Sequence, residues 1–231
     1  MTTAERRKTA NQNPSSRRWQ EVIDVAAGVF YRLGYSEASV GDVAAALGIT
    51  KGSLYHYVQN KEDLLYAIIR EAHDLTRDTL RRAQALDGPA LQRLRQYFTW
   101  HVRINTDELE KSSLIYRDLR HLSADRRDEI VEVRDQVEAF VRQLLTNGME
   151  EHAVCRLIDP RLASIEMFST ANAIYQWYQP EGPHAAEEVA ESVADFVVSG
   201  VACDGSLTGR CFRHGAGHGD PDPRMEGQVR D

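Results

Sequence analysis

The stretch 39–61, SVGDVAAALGITKGSLYHYVQNK, constrains the fold more than any other part of this 231-residue chain. It predicts two short helices, a tight turn and the start of a third, longer helix. Ser39 is a suitable first cap, with Asp42 three residues on to answer it. Val43, Ala44 and Leu47 recur at helical spacing. Gly48 can take the positive φ that ends such a helix. Thr50 caps the next one, whose apolar members Leu54 and Val58 are four apart. Lys51, Gly52, Ser53, Tyr55 and His56 are left on or near the outward side. A short helix that shows a lysine, a hydroxyl, a phenol and an imidazole suits the major groove of DNA. Gly52 lets the backbone come close to a phosphate.

The run from Val40 to Leu64, with its T-K-G-S-L-Y-H-Y core and N-K-E-D-L-L continuation, resembles the helix-turn-helix of TetR-family transcriptional repressors. The resemblance covers residues 16–76 in detail and extends more weakly through the rest of the chain. Tyr57 stands where the family often has histidine, and Val58 where it often has phenylalanine. Both still supply a polar tip for a phosphate and a plug for the core. The resemblance implies an all-α protein with a three-helix head and a helical body for ligand binding and dimerisation. It places Ser39, Val40, Thr50, Lys51, Gly52, Ser53, Tyr55, His56, Tyr57 and Lys61 at the DNA. Of these, Thr50, Tyr57 and Lys61 are placed for phosphates, and Arg17 and Arg18 are added from the first helix.

Charge agrees with DNA binding only when it is divided along the chain. Residues 1–70 hold 9 Lys/Arg against 7 Asp/Glu, and the remainder holds 19 against 28. DNA binding needs a local basic face, so the acidic body must be held away from the phosphates. No apolar run approaches the roughly 18–20 residues that span a membrane, and no apolar segment follows Arg6, Arg7 and Lys8. Three cysteines (Cys155, Cys203, Cys211) form no framework, which suits a reducing cytoplasm. The expected location is cytoplasmic.

Taken in order, residues 1–15 read as a flexible basic arm, 16–62 as the DNA-binding head, 63–203 as the body and 204–231 as a disordered tail. Ser15 or Ser16 is expected to cap a first helix over 16–33 whose apolar stripe runs from Trp19 to Leu33. Asn60 caps a long helix to about 83, the link from head to body and the natural lever for a signal. Further helices are expected over about 90–105, 107–121, 123–147, 160–179 and 184–201. Asn147 and Gly148 are expected to end the 123–147 helix, and Asp159 and Pro160 to open the 160–179 helix. The last two helices have broad apolar faces and can build a four-helix bundle across a two-fold axis.

Tyr97, Trp100, His101, Ile104, Tyr116, Phe168, Asn172, Tyr175 and Gln176, with His121 and Trp177, mix aromatics with polar groups as ligand cavities do. An ordinary aromatic core accounts for any one of them singly. The segments Y-F-T-W-H-V-R, Y-R-D-L-R-H-L-S and I-Y-Q-W-Y-Q-P-E-G-P resemble the TetR branch that controls fatty-acid or sterol catabolism and senses acyl-CoA thioesters. That resemblance implies an apolar tunnel and arginines for the phosphates, with Arg117 and Arg120 as candidates; a salt bridge to Asp118 or Glu110 is the plainer role for these two. Cys211, His214 and His218 have metal-like spacing, but no core surrounds them, so no metal is expected. No nucleophile–base–orienter set appears, and the chain gives no case for an enzyme or a cofactor. The expected protein is a homodimeric repressor on a palindromic operator, released by a small-molecule inducer, an acyl-CoA in the first instance. The alternatives are a regulator sensing a drug-like or other apolar compound, and a ligand-binding or enzymatic body with a vestigial head.

Overall fold

The computed structural model describes residues 14–203. The basic cluster Arg6, Arg7, Lys8 and the tail with Cys211, His214 and His218 lie outside them. The described chain is helical, as its 3.6-residue periodicity requires. The order is α1 Pro14–Leu33, α2 Val40–Ala46, α3 Lys51–Leu54, α4 Lys61–Gln84, α5 Ala90–Asp107, α6 Leu109–Asp118, α7 Ala124–Glu150, α8 Pro160–Asn172 and α9 Ala186–Ser199. Single 3-10 turns follow α6 (Leu119–His121) and α8 (Ala173–Gln176). One antiparallel bridge, Val154 with Ala202, ties the loop after α7 to the chain after α9.

Local chemistry explains the helix ends in the head. Ser39 and Asp42 form a complete capping box at α2, and Asn60 and Asp63 form another at α4. Two of the four orphan N–H groups at each start are thereby satisfied. Thr50 accepts from the Ser53 amide at α3. Gly34 (φ 80°) and Gly48 (φ 66°) take the left-handed conformation that L side chains rarely adopt. α1 begins at Pro14, so Ser15 and Ser16 lie inside its first turn instead of capping it.

Two apolar cores part along α4. The first joins α1–α3 to Leu64, Leu65, Ile68 and Ile69, and it also takes Leu114, Leu122 and Ile130 from the body helices. A boundary at residue 62 therefore falls inside this core. The second core begins at Leu80 and Ala83 and fills the space between α5, α7, α8 and α9.

Several expected helix ends move: α3 stops at Leu54, short of Val58, and the 107–121 helix is α-helical only to Asp118, with a 3-10 turn to His121. α7 continues through Asn147 and Gly148 to Glu150, because its last turn packs against the loop that follows. Gly148 is there for closeness: a Cβ on it would lie 2.5 Å from Val154 Cγ2. Gly148→Ala should therefore cost about 1–3 kcal/mol through displacement of Val154, a fall in Tm of about 2–12 °C by calorimetry. The α-helical part of α8 stops at Asn172, and a 3-10 turn carries the chain to Gln176. α9 begins at Ala186, leaving His184 outside it.

Candidate functional site

The DNA-facing candidates stand on a well-filled base. Leu54 is fully buried and Val58 nearly so, and they anchor α3 on the head's core. Lys51, Gly52, Tyr55 and His56 are exposed on the opposite side, with Ser53 half-buried among them. The Lys51 ammonium sits 5.8 Å from the Tyr55 ring centroid, so the two share one face. A Cβ on Gly52 would meet nothing closer than Thr50 Oγ1 at 3.8 Å, which leaves its backbone open. Thr50 and Tyr57 are exposed, and Tyr57 stacks on Trp19 of α1 at 6.3 Å. Arg17 is exposed, whereas the Arg18 guanidinium is held by Glu21 at 2.5 Å. Ser39 is exposed, its hydroxyl bonded to Asp42.

Two candidates have other work in this fold. Val40 is 6% exposed and fills the head's core. The Lys61 ammonium donates to the carbonyls of Tyr35 (2.6 Å), Ser36 (3.2 Å) and Ala38 (2.8 Å) and lies 4.3 Å from the Tyr35 ring. Its three N–H donors clamp the α1–α2 turn onto the start of α4 instead of reaching outward.

In the body, α4, α5, α6, α7 and α8 enclose a cavity of about 230 Å³. Of the expected residues, His101, Tyr116, Phe168 and Asn172 line it. The Tyr116 hydroxyl donates to Asn172 Oδ1 at 2.9 Å, and His101 Nε2 meets that same oxygen at 2.8 Å. Asn172 Oδ1 accepts from both, which puts the proton of a neutral His101 on Nε2. Asn105, which the sequence reading missed, supports the set from α5, and Tyr116 also approaches its Oδ1 at 3.4 Å. Burial lowers the pKa of His101 against the bond to Asn172, and burial pushes the Tyr116 phenol up to about 12. Both groups are therefore neutral at pH 7.

Tyr97 is fully buried beneath this site and stacks on His101 at 5.7 Å; its hydroxyl has no hydrogen-bond partner. Tyr175 stacks on Tyr116 at 5.5 Å and takes a bond from Gln176, one layer behind the wall. Trp100 packs elsewhere, under the Arg82 guanidinium at 4.1 Å. Ile104 is half-buried and Trp177 is exposed, and neither lines the cavity. Arg117 and Arg120 are exposed near the end of α6 and do not line it either. Their charges act on Asp118, whose carboxyl burial raises and these arginines, with His121, lower. His121 packs on Tyr35 of the head at 5.0 Å. α6 runs to Asp118 and passes into the 3-10 turn Leu119–His121, which meets the head through His121 and Tyr35.

The sequence reading also missed His73 and Thr76 of α4, which line the same cavity. Their spacing was the available signal, because Ile69, His73, Thr76 and Leu80 recur on one helical face. His73 is 3% exposed and its Nδ1 has no hydrogen-bond partner. Burial, with Arg77 and Arg134 nearby, lowers its pKa to about 4. Above pH ~6.5 the group is neutral in both folded and unfolded states. As pH falls below that value only the unfolded chain takes the proton, so stability is lost. The His73 contribution to that loss should be about 2 kcal/mol at pH 5. Denaturant titrations at pH 7.5 and 5.0, compared between the native chain and His73→Leu, would isolate it.

Among the described residues, no helix is long and apolar enough to cross a membrane, and no group of three His, Cys, Asp or Glu is placed to hold a metal ion.

Comparison with known proteins follows this division of labour. Residues 22–68 match the profile of the bacterial regulatory proteins, tetR family. Residues 87–201 match the tetracyclin repressor-like, C-terminal domain. The HTH-type transcriptional repressor KstR2 of Rhodococcus jostii is 29% identical over 196 residues, covering 81% of this chain and 92% of its own. The structure of the TetR family transcriptional regulator PfmR from Thermus thermophilus is 30% identical, with a TM-score of 0.71, covering 77% of this chain and 97% of that one. The structure of AibR in complex with isovaleryl coenzyme A and operator DNA is 26% identical, with a TM-score of 0.69, covering 80% and 97%. With a head and a body that each match and a full-length relative at this identity, the chain belongs to the TetR family of bacterial transcriptional regulators.

Proposed function

We propose that this protein is a homodimeric transcriptional repressor that binds a palindromic operator through α3 and leaves it when an acyl-CoA enters the body. The observation that carries the DNA reading is the two-sided character of α3 and the turn after it, with Leu54 buried under an outward set of Lys51, Tyr55 and His56. Four helical residues make too few contacts for a specific site, so two heads about one helical turn of DNA apart are needed. The dimer face we assign is α8 with α9. Leu162 (55%), Ile165 (48%) and Phe196 (67%) are large apolar side chains left exposed there, beside a groove that includes Met167 and Val201. Burying such a patch against its own copy is the symmetric solution.

The acyl-CoA reading rests on the cavity beside α4 and on likeness to AibR, whose structure holds isovaleryl coenzyme A and operator DNA. Short acyl groups suit a cavity of about 230 Å³. Arg134 at its rim is the cation available for a phosphate, in place of Arg117 and Arg120. The placement of those two arginines away from the cavity favours a second reading, an uncharged apolar inducer. In both, the inducer acts on two levers. α4 carries His73 into the cavity, and α6 carries Tyr116 into the cavity and Lys111 to the head.

Selection of operator duplexes from random DNA, followed by anisotropy titration with an acyl-CoA panel, tests this. A palindrome bound two protomers at a time is expected. A short acyl-CoA at a hundred times its Kd should release it and stabilise the free protein by about 2.7 kcal/mol. No selected sequence at any salt concentration would refute DNA binding. Release by uncharged apolar compounds alone would move the inducer to the second reading.

A further inference from the structure

We propose that the cavity reads an uncharged, oxygen-bearing inner end of its ligand, a short chain carrying a hydroxyl or ketone, with His73 as the residue that recognises that oxygen. This rests on the reading that the body cavity is the effector site. At roughly 30 Å³ per water-sized group, the volume admits about seven or eight non-hydrogen atoms, which is a short chain and not a fused ring system. The apolar lining is Ile115, Val137, Ile165 and Phe168. The inner polar groups are an imidazole from α4 and the Tyr116–Asn172–His101 set.

These groups differ in what they have left to give. Asn172 Oδ1 already accepts twice, and Tyr116 has spent its proton on it. His73, by contrast, is bonded at neither ring nitrogen: Nδ1 is sealed inside the wall, and Nε2 is the nitrogen left to the cavity. An unpaired nitrogen in a buried ring costs stability until something bonds it, so a ligand oxygen at Nε2 gains what an alkyl chain cannot. The charged side chains Arg134, Asp135 and Glu138 line the same cavity from α7, where Arg134 and Asp135 are exposed and Glu138 is half-buried. An ionised carboxylate at the inner end would find no cation among the inner groups, which are neutral at pH 7, and burying it unpaired is costly. His73 lies on α4, so the oxygen it binds pulls directly on the helix that enters the head.

The test uses the full chain on its selected operator, with butyryl-CoA, 3-hydroxybutyryl-CoA and succinyl-CoA as matched four-carbon probes. 3-Hydroxybutyryl-CoA should release the operator at a concentration at least about tenfold below butyryl-CoA, with succinyl-CoA the weakest. His73→Phe should shrink the tenfold preference to about twofold by weakening only the hydroxylated probe. His73→Asn, which keeps a hydrogen-bonding group in less volume, guards against a misfolded first variant and should retain part of the preference. Equal action of the hydroxylated and saturated probes, the tightest action by succinyl-CoA, or an unchanged preference in His73→Phe would overturn the proposal. If no thioester acts, 15N-histidine spectra with butan-2-ol and butyrate decide. A His73 Nε2 shift with the alcohol alone retires the acyl-CoA reading and keeps this one. A shift with butyrate, or with neither, retires this one.

Discussion

Replacing Lys51 and Tyr55 together by alanine should lower operator affinity by about three orders of magnitude, with Tm and helix content unchanged. Both side chains are exposed, Lys51 at the start of α3 and Tyr55 at its C-cap, and neither takes part in the head's core. A base or phosphate contact of this kind contributes about 1 kcal/mol at the low end. Two residues in each of two heads then give about 4 kcal/mol, or close to a thousandfold. Anisotropy titration of the selected duplex at fixed salt measures it. The salt dependence should also become shallower, since two ammonium groups per dimer no longer displace counterions. Lys61→Ala makes the contrast. Its ammonium is engaged by three carbonyls of the head, so its loss should appear first as a lower Tm.

The second large effect is expected at Lys111, which is 4% exposed. Its ammonium meets Asp24 of α1 at 2.6 Å, Glu71 of α4 at 3.0 Å and Glu108 at 3.4 Å. Gln20 of α1 donates to both Glu71 and Asp24 from the other side. Burial alone would lower the lysine's pKa; the bond from Asp24 and the charges of Glu108 and Glu71 outweigh it and raise the value. A raised lysine contributes its stability below the ordinary value near 10.5 and loses it only as pH rises through the folded value, so the contribution is whole at pH 7. Lys111→Met removes the cation that the carboxylates of Asp24, Glu71 and Glu108 share. Breaking a buried pair costs about 3–5 kcal/mol, and the partial exposure of Asp24 argues for the lower end. A fall in Tm of about 6–12 °C follows for a chain of this size. The same variant should blunt effector-induced release, because this cluster joins α6 directly to α1. A Tm within 2 °C of the native chain would show that the cluster is solvated and contributes little.

These clusters separate what could be read from the linear chain from what could not. The helix starts at Ser39, Thr50 and Asn60, the stops at Gly34 and Gly48, and the buried anchors Leu54 and Val58 were legible. Caps, turns and amphipathic spacing are settled within four residues of chain, and the sequence states them directly. The outward side of α3 was legible for the same reason, since in a four-residue helix the identity of the buried residue fixes which neighbours face out. The 160–179 segment reads as one helix because nothing local marks its change to a 3-10 turn at Ala173.

Tertiary packing decided the rest. Gly148 reads as a helix stop until Val154 folds back onto it, and Lys61 reads as a phosphate ligand until the α1–α2 turn brings three carbonyls to it. Arg117 and Arg120 stand three apart on one strip of sequence, yet neither lines the cavity, and the turn that carries Arg120 packs on the head through His121. His73 and Lys111 acquire their meaning only from helices distant in sequence, His101 and Asn172 for one, Asp24 and Glu71 for the other. Sequence by itself determined an all-helical chain with a helix-turn-helix head, because periodicity and capping are short-range physics. Which polar side chains meet inside the body, and which ammonium is buried between head and body, depends on how long helices cross. Those crossings are set by the summed packing of two cores, which no local pattern encodes.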